Sequence, residues 1–276
     1  MAKIIIPLFV FILGGTGIYS LSFTKDWNNK KTQTQLESSK INSPQSEPEF
    51  EMIDPQTIPD HSSSWQSRFF RNFRAPDLSN WRRPEGPIKV ALQVGHWKTS
   101  ELPDELQRLR ERGGGTSGGG KAEWEVNLAI AEATKEILKA KGILVDIIPA
   151  TVPPSYFADA FVAIHADGNA NTNVSGFKAA SPWRDLTGRS EDLVAALEKE
   201  YRNTTGLRSD TGVNHNMRGY YAFNWWRREH AVHPMTVAAI IETGFLTSPE
   251  DQKILIQNPQ KAAEGISAGI IKFLNL

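Results

Sequence analysis

Thr236–Phe245 reads TVAAIIETGF, and its apolar middle, Val237 to Ile241, has the character of a buried strand. It ends on Glu242, a carboxylate that is costly beside an apolar core unless something pairs with it or uses it. Two other stretches share this build. KVALQVGHW (Lys89–Trp97) is an apolar run that reaches His96, and FVAIHADG (Phe161–Gly168) is one that reaches His165. Three strand-like segments thus each deliver an ionisable side chain at their C-terminal end. In open α/β sheets ligands bind in the crevice outside the carboxyl ends of the strands, so the three ends point to one site.

The segments between them alternate in period. EVNLAIAEATKEILKAKG (Glu125–Gly142) places Val126, Leu128, Ile130, Ala131, Ile137 and Leu138 at close to helical spacing, with Gly142 as a stop. ILVDIIP (Ile143–Pro149) reads as a second strand, GFKAAS (Gly176–Ser181) as a fourth and GYYAFN (Gly219–Asn224) as another short one. SEDLVAALEKEYRNTTG (Ser190–Gly206) reads as a helix with Ser190 as its N-cap. SPEDQKILIQ (Ser248–Gln257) opens with a cap at Ser248, Pro249 in the first turn and Asp251 three residues on, and PQKAAEGISAGIIKFLNL (Pro259–Leu276) closes the chain as a helix. This pattern predicts an α/β fold: a twisted, mostly parallel sheet of about six strands with helices on both faces, in a single domain over residues 87–276.

Composition narrows the function. The 276 residues carry a formal net charge of zero, which gives no sign of a nucleic-acid partner. With 39% hydrophobic residues the chain has material for one sizeable core. It has no cysteine, so disulfides, thiolate metal sites and a cysteine nucleophile are excluded. A metal here falls to His, Asp or Glu.

Ahead of the domain stand three segments. Ile4 to Phe23 is almost wholly apolar, and roughly 20 such residues suffice to cross a bilayer. Residues 1–23 therefore read as a membrane anchor, or as a signal peptide cleaved near Ser20-Leu21-Ser22. Residues 24–86 read as a disordered tether, rich in Ser, Gln, Asn, Lys, Glu and Pro. Its last part, 65–84, interleaves aromatic residues with arginines; it reads as an arm docked on the domain or lying on a membrane surface.

His96, His165 and a carboxylate form a donor set suited to zinc, which takes three protein ligands in catalytic sites and keeps a fourth position for water. GGGKAEWEVNLAIA (Gly118–Ala131) offers the carboxylate in Glu123 or Glu125, at the start of the first long helix. An acid in a first helical turn also simply complements the helix dipole.

The ordered set VGHW, EWEVNLAIA, ADAFVAIHADG, SGF, MRGYYAFN and AIIETGFLTSPED resembles the zinc-dependent N-acetylmuramoyl-L-alanine amidases of bacterial cell-wall metabolism, over roughly residues 88–276. The resemblance implies one Zn2+ ion held by His96, Glu123 and His165. The family's glutamate stands four residues before an asparagine at a helix start, so the resemblance assigns the role to Glu123, four before Asn127, rather than to Glu125. It implies Glu242 as the catalytic base, passing the water's proton to the departing amine. The bond it implies joins the lactyl group of N-acetylmuramic acid to L-alanine of the stem peptide. Peptidoglycan is then the substrate, and the inner membrane the anchorage of a domain on the periplasmic or cell-wall side. Whether an activator protein is a further partner is left open by the sequence. Arg218 in MRGYY reads as a clamp for a stem-peptide carboxylate or as a structural arginine.

The chain also departs from the family's pattern. Asp167 stands where the family has asparagine, and reads as a partner to a ligand histidine's second nitrogen or as a turn cap. The family's Thr-Arg pair after the second strand is missing, and IIPATVPPSYFADAF (Ile147–Phe161) leaves little room for the usual helix. KTSELPDELQRLRERGGGTSGGGKA (Lys98–Ala122) reads as a surface loop with a helical turn, or as a lid that covers the metal with Glu101, Asp104 or Glu105. His230 and His233 are three apart, the spacing of a metal pair, but read better as groove or packing residues. Two rival functions remain open: a zinc peptidase of other specificity, and a catalytically inactive wall-binding relative.

Overall fold

The computed structural model of the chain describes residues 77–276. The apolar stretch Ile4–Phe23, the polar tract and the arm up to residue 76 lie outside the described residues. Among the described residues no helix is long and apolar enough to cross a membrane.

Strand β1 (Lys89–Val94) has Val90, Ala91, Leu92 and Val94 fully buried. An apolar run covered on both faces belongs in the middle of a parallel sheet. Chain order continues with helix α1 (Gln107–Arg112), a small ribbon of β2 (Ser117–Gly118) and β3 (Lys121–Ala122), α2 (Glu123–Lys139), β4 (Leu144–Ile148) and β5 (Ala160–Asp167). Then come β6 (Lys178–Ala180), α3 (Ser190–Thr205), α4 (His215–Arg218), β7 (Val237–Phe245), α5 (Pro249–Leu255) and α6 (Pro259–Leu274). The main sheet has five strands in the order β4-β1-β5-β7-β6; all pairs are parallel except β6 with β7. From β1 the chain runs first to β4 on one side and then to β5 on the other. The crevice where the order reverses opens between the ends of β1 and β5, which carry His96 and His165.

Alternate residues of the central strands face opposite ways. Val90, Leu92, Val162, Ile164, Ala239 and Ile241 pack under α2, α3 and α6. Ala91, Phe161, Ala163, Ala238 and Ile240 pack under Val152, Met217, Phe223 and Val232. Helices lie on both faces, but unequally. The second face is covered by α4, a 3-10 turn at Tyr221–Phe223 and irregular chain. The Pro-interrupted stretch after β4 has no run long enough for a helix.

Two local expectations are corrected. GYYAFN forms the 3-10 turn and not a strand, which leaves the sheet with five strands. The Asn224 side-chain amide donates to the carbonyls of Gly219 and Tyr220 and folds this stretch on itself. Ser190 is the first residue of α3 and not its cap: its N–H donates to Asp185 Oδ2 at 2.8 Å, and its Oγ accepts from Ala238 N–H at 3.2 Å. Ser248 does cap α5, with Pro249 in the first turn.

The described end of the arm is held to the domain. Trp81 stacks on His233 at 5.8 Å between ring centroids and tilts against Phe157. Arg83 donates to both Asp159 carboxylate oxygens at 2.5 and 2.8 Å. Asp159 also accepts from Lys89 N–H, at the first residue of β1.

Candidate metal centre

His96, Glu123 and His165 each offer a ligand atom within 4.8 Å of the others. Glu123 lies at the centre. Its Oε2 is 3.5 Å from His96 Nε2, and its Oε1 is 3.1 Å from His165 Nδ1. The two imidazoles meet edge to face, 5.1 Å between centroids. Glu123 and His165 are buried, and His96 is part-exposed.

The backbone makes this approach possible. Gly95 follows β1, and a Cβ there would fall 2.5 Å from the His165 ring, so only glycine lets the two strand ends come this close. His96 takes a left-handed backbone, φ 60°, a conformation that costs energy in a non-glycine residue and collects at functional sites. The segment between His96 and Glu123 then passes back over both. Gly113 O accepts from His96 Nδ1–H at 2.7 Å. A carbonyl only accepts, so Nδ1 carries a proton and Nε2 is the nitrogen left to face Glu123. Thr116 N–H donates to Glu123 Oε2 at 2.9 Å. At Gly115, φ +70°, a Cβ would lie 2.6 Å from Glu123 Oε2 and 2.8 Å from His96 Cγ.

Glu123 is held on its other oxygen as well. Oε1 accepts from Asn127 Nδ2–H and from Ala166 N–H, both at 3.2 Å. Burial works against its charge, yet the two histidines and the Thr116 N–H overcome that penalty and hold the carboxyl well below the usual carboxylate range. Burial lowers the pKa of His165, whose Nε2 lies 3.0 Å from the hydroxyl of Tyr220. Tyr220 is itself buried, which raises its pKa, and it contacts Tyr221, whose hydroxyl bonds Ala150 O.

Glu242 sits on β7 directly opposite His165 on β5, and Lys178 on β6 is opposite Glu242. Glu125 turns away from the centre: its Oε2 accepts from Ala122 N–H, at the start of its own helix. The Asp167 carboxylate accepts from Lys178 and from Gly168 N–H, while the ring nitrogens of His165 face Glu123 and Tyr220. Arg218 contacts Ser181 Oγ at 3.3 Å and Glu191 Oε1 at 3.1 Å, and its guanidinium lies over the ring of Trp183.

The acids of the Lys98–Ala122 segment do not reach the centre. Glu101 pairs with Lys98, Asp104 with Arg110, and Glu105 with His230 and the N–H groups of Glu229 and His230. Leu102 and Leu106 are buried against Ala150. The segment is docked rather than free, and it meets the centre through backbone groups and glycine. His230 is occupied by Glu105, and His233 by Trp81.

Two imidazoles from strand ends and one ionised carboxylate from a helix start form a donor set that could hold a metal ion. Residues 90–272 match the family model described as N-acetylmuramoyl-L-alanine amidase. The chain belongs to this family, cell-wall hydrolases that act on peptidoglycan.

Among solved structures, the amidase AmiC2 of Nostoc punctiforme is 20% identical, with 70% of this chain and 100% of that chain covered and a TM-score of 0.48. The catalytic domain of CwlV from Bacillus (Paenibacillus) polymyxa var. colistinus is 22% identical, covering 68% and 98%, with a TM-score of 0.48. An N-acetylmuramoyl-L-alanine amidase from Clostridium difficile 630 is 21% identical, covering 69% and 98%, with a TM-score of 0.49. No curated protein matches the chain.

Proposed function

We propose that the domain is a zinc-dependent amidase that cleaves the bond between the lactyl group of N-acetylmuramic acid and L-alanine of the stem peptide. The observation that carries this is the meeting of His96, Glu123 and His165 within 4.8 Å, with Glu242 beside His165 in the sheet. The donor set fits zinc: two imidazoles, one carboxylate held ionised, and no thiolate. A zinc ion held by His96, Glu123 and His165 would supply Lewis acidity toward the scissile carbonyl and toward water near neutral pH.

The protein's own residues do the rest. Gly113 O and Thr116 N–H orient His96 and Glu123, and Asn127 and Ala166 N–H hold the second Glu123 oxygen. Glu242 accepts the proton of the attacking water and gives it to the departing amine of L-alanine. Tyr220 fixes the His165 ring from its far side. The apolar stretch at Ile4–Phe23 favours a domain tethered on the wall side of the membrane, within reach of peptidoglycan.

The test is digestion of purified peptidoglycan followed by mass spectrometry. Free stem peptides beginning with L-alanine are the expected product. Cleavage inside the stem peptide, with the lactyl–alanine bond whole, favours a peptidase; no cleavage by zinc-loaded enzyme favours a wall-binding role.

A further inference from the structure

Lys178 is a charged side chain that the chemistry above leaves unused. It stands on a three-residue edge strand, yet it is only 6% exposed. Its Nζ donates to Asp167 Oδ2 at 2.5 Å and to Asp210 Oδ2 at 3.3 Å. The ammonium also lies 5.4 Å from the ring centre of Phe245. Asp167 follows His165 by two residues on β5, and Asp210 comes from the loop after α3.

Its place in the sheet is specific. Lys178 is paired with Glu242 across β6 and β7, and Glu242 is paired with His165 across β7 and β5. Residues directly opposite in a sheet share a face, and in an antiparallel pair such as Lys178 and Glu242 their Cβ atoms lie roughly 4.5–5.5 Å apart. The next residues on that face, Ala180, Ile240 and Ala163, pack in one cluster, which fixes the common side. A row therefore runs histidine, carboxylate, ammonium over three strands. Burial opposes the charge on Lys178, but Asp167, Glu242 and Asp210 outweigh it and raise its pKa. Well-packed apolar groups often replace a buried ion pair without loss of stability, so packing alone does not call for a charge at this place. The charge is better explained by what it faces.

We propose that Lys178 is a positioning residue for Glu242: its ammonium, anchored by Asp167 and Asp210, fixes where the Glu242 carboxylate stands beside His165. The inference rests on Glu242 as the proton-transfer group. A carboxylate that must serve first the water and then the leaving amine has to hold one place through both steps. Misplacement by about 1 Å costs on the order of a hundredfold in rate.

The test compares zinc-loaded wild type with Lys178→Met, Lys178→Arg and Asp210→Asn. Lys178→Met keeps the length of the stem and removes the charge. Its kcat is expected to fall about tenfold to a hundredfold, with KM and zinc content unchanged, and Lys178→Arg recovers part of the loss. The crystal structure of zinc-loaded Lys178→Met is expected to show the Glu242 carboxylate displaced, with His96, Glu123 and His165 in place. That readout needs no substrate. It decides the inference even where wild type fails to cleave peptidoglycan, a failure that counts against the proposed reaction alone.

An unmoved Glu242 carboxylate, an undiminished kcat, or a loss carried by KM or by zinc content overturns the proposal. Asp210→Asn alters only the outer anchor, which is 26% exposed, and covers the case in which Lys178→Met does not fold. It is expected to lower kcat about twofold to fivefold, a fraction of the full misplacement cost; unchanged kcat there also overturns the proposal.

Discussion

The carbonyl oxygen of Gly113 accepts a hydrogen bond from Nδ1 of His96 at 2.7 Å, so a backbone group of the glycine-rich segment sets which nitrogen of that ring faces Glu123. Three residues on, Thr116 N–H does the same service for the Glu123 carboxylate. The segment between the two residues is thus part of the centre's frame.

Gly115 is the point where that frame has no spare room. Gly115→Ala puts a methyl group against Glu123 Oε2 and the His96 ring, in a left-handed backbone that also costs about 1–2 kcal/mol. Zinc affinity is expected to fall about 10- to 100-fold, as for other losses of ligand support. Chelator competition measures it, and unchanged affinity contradicts the framing role.

Glu105 ties the same segment to the loop at 228–230. Burial alone raises its pKa, but the N–H groups of His230 and Glu229 and the His230 ring outweigh this and lower it. A carboxylate with a lowered folded pKa contributes stability above its unfolded pKa and loses it as pH falls through the folded value. Thermal melts from neutral pH down to pH ~3, below the ordinary glutamate range, are therefore expected to show a steeper acid loss in wild type than in Glu105→Gln. Parallel curves refute the link. Arg228, whose guanidinium bonds Glu105 O, keeps its charge throughout this window.

Asp251 holds the end of β7. It is fully buried and accepts from Phe245 N–H at 2.7 Å, Gly176 N–H at 3.0 Å and Ser175 Oγ–H at 2.5 Å. Asp251→Ala leaves two buried N–H groups without an acceptor, at about 1–3 kcal/mol each. Urea unfolding is expected to show a loss of about 2–5 kcal/mol, against less than about 0.5 kcal/mol for Glu250→Ala on the exposed side of the same helix. Equal effects of the two substitutions contradict this reading.

Glu242→Gln separates binding from proton transfer. It keeps the size of the side chain and removes its basicity. The expected result is full zinc content with kcat lowered about 10²- to 10⁴-fold, measured by release of stem peptide. Retained turnover removes Glu242 from the reaction.

The strand ends were legible because their signal is local: a short apolar run followed by His96, His165 or Glu242 needs no knowledge of distant chain. The sequence by itself left Glu123 and Glu125 open; the resemblance to the family, whose glutamate stands four residues before an asparagine, chose Glu123, and in the structure Asn127 bonds the Glu123 carboxylate one helical turn away. Gly113 O and Thr116 N–H were not legible, because backbone groups carry no residue signature. Tyr220 was hidden for another reason. It reaches His165 across 55 residues, by a turn that the sequence presents as a strand. Lys178 did leave a trace, a lysine inside the short apolar stretch GFKAAS, but only strand pairing shows that it faces Glu242.

The most direct measurement is anomalous diffraction at the zinc absorption edge from crystals of the zinc-loaded protein. The account predicts a single strong peak bounded by His96, Glu123 and His165, with the Glu242 carboxylate facing it. A peak elsewhere, or those three side chains scattered around no ion in a zinc-saturated crystal, contradicts it.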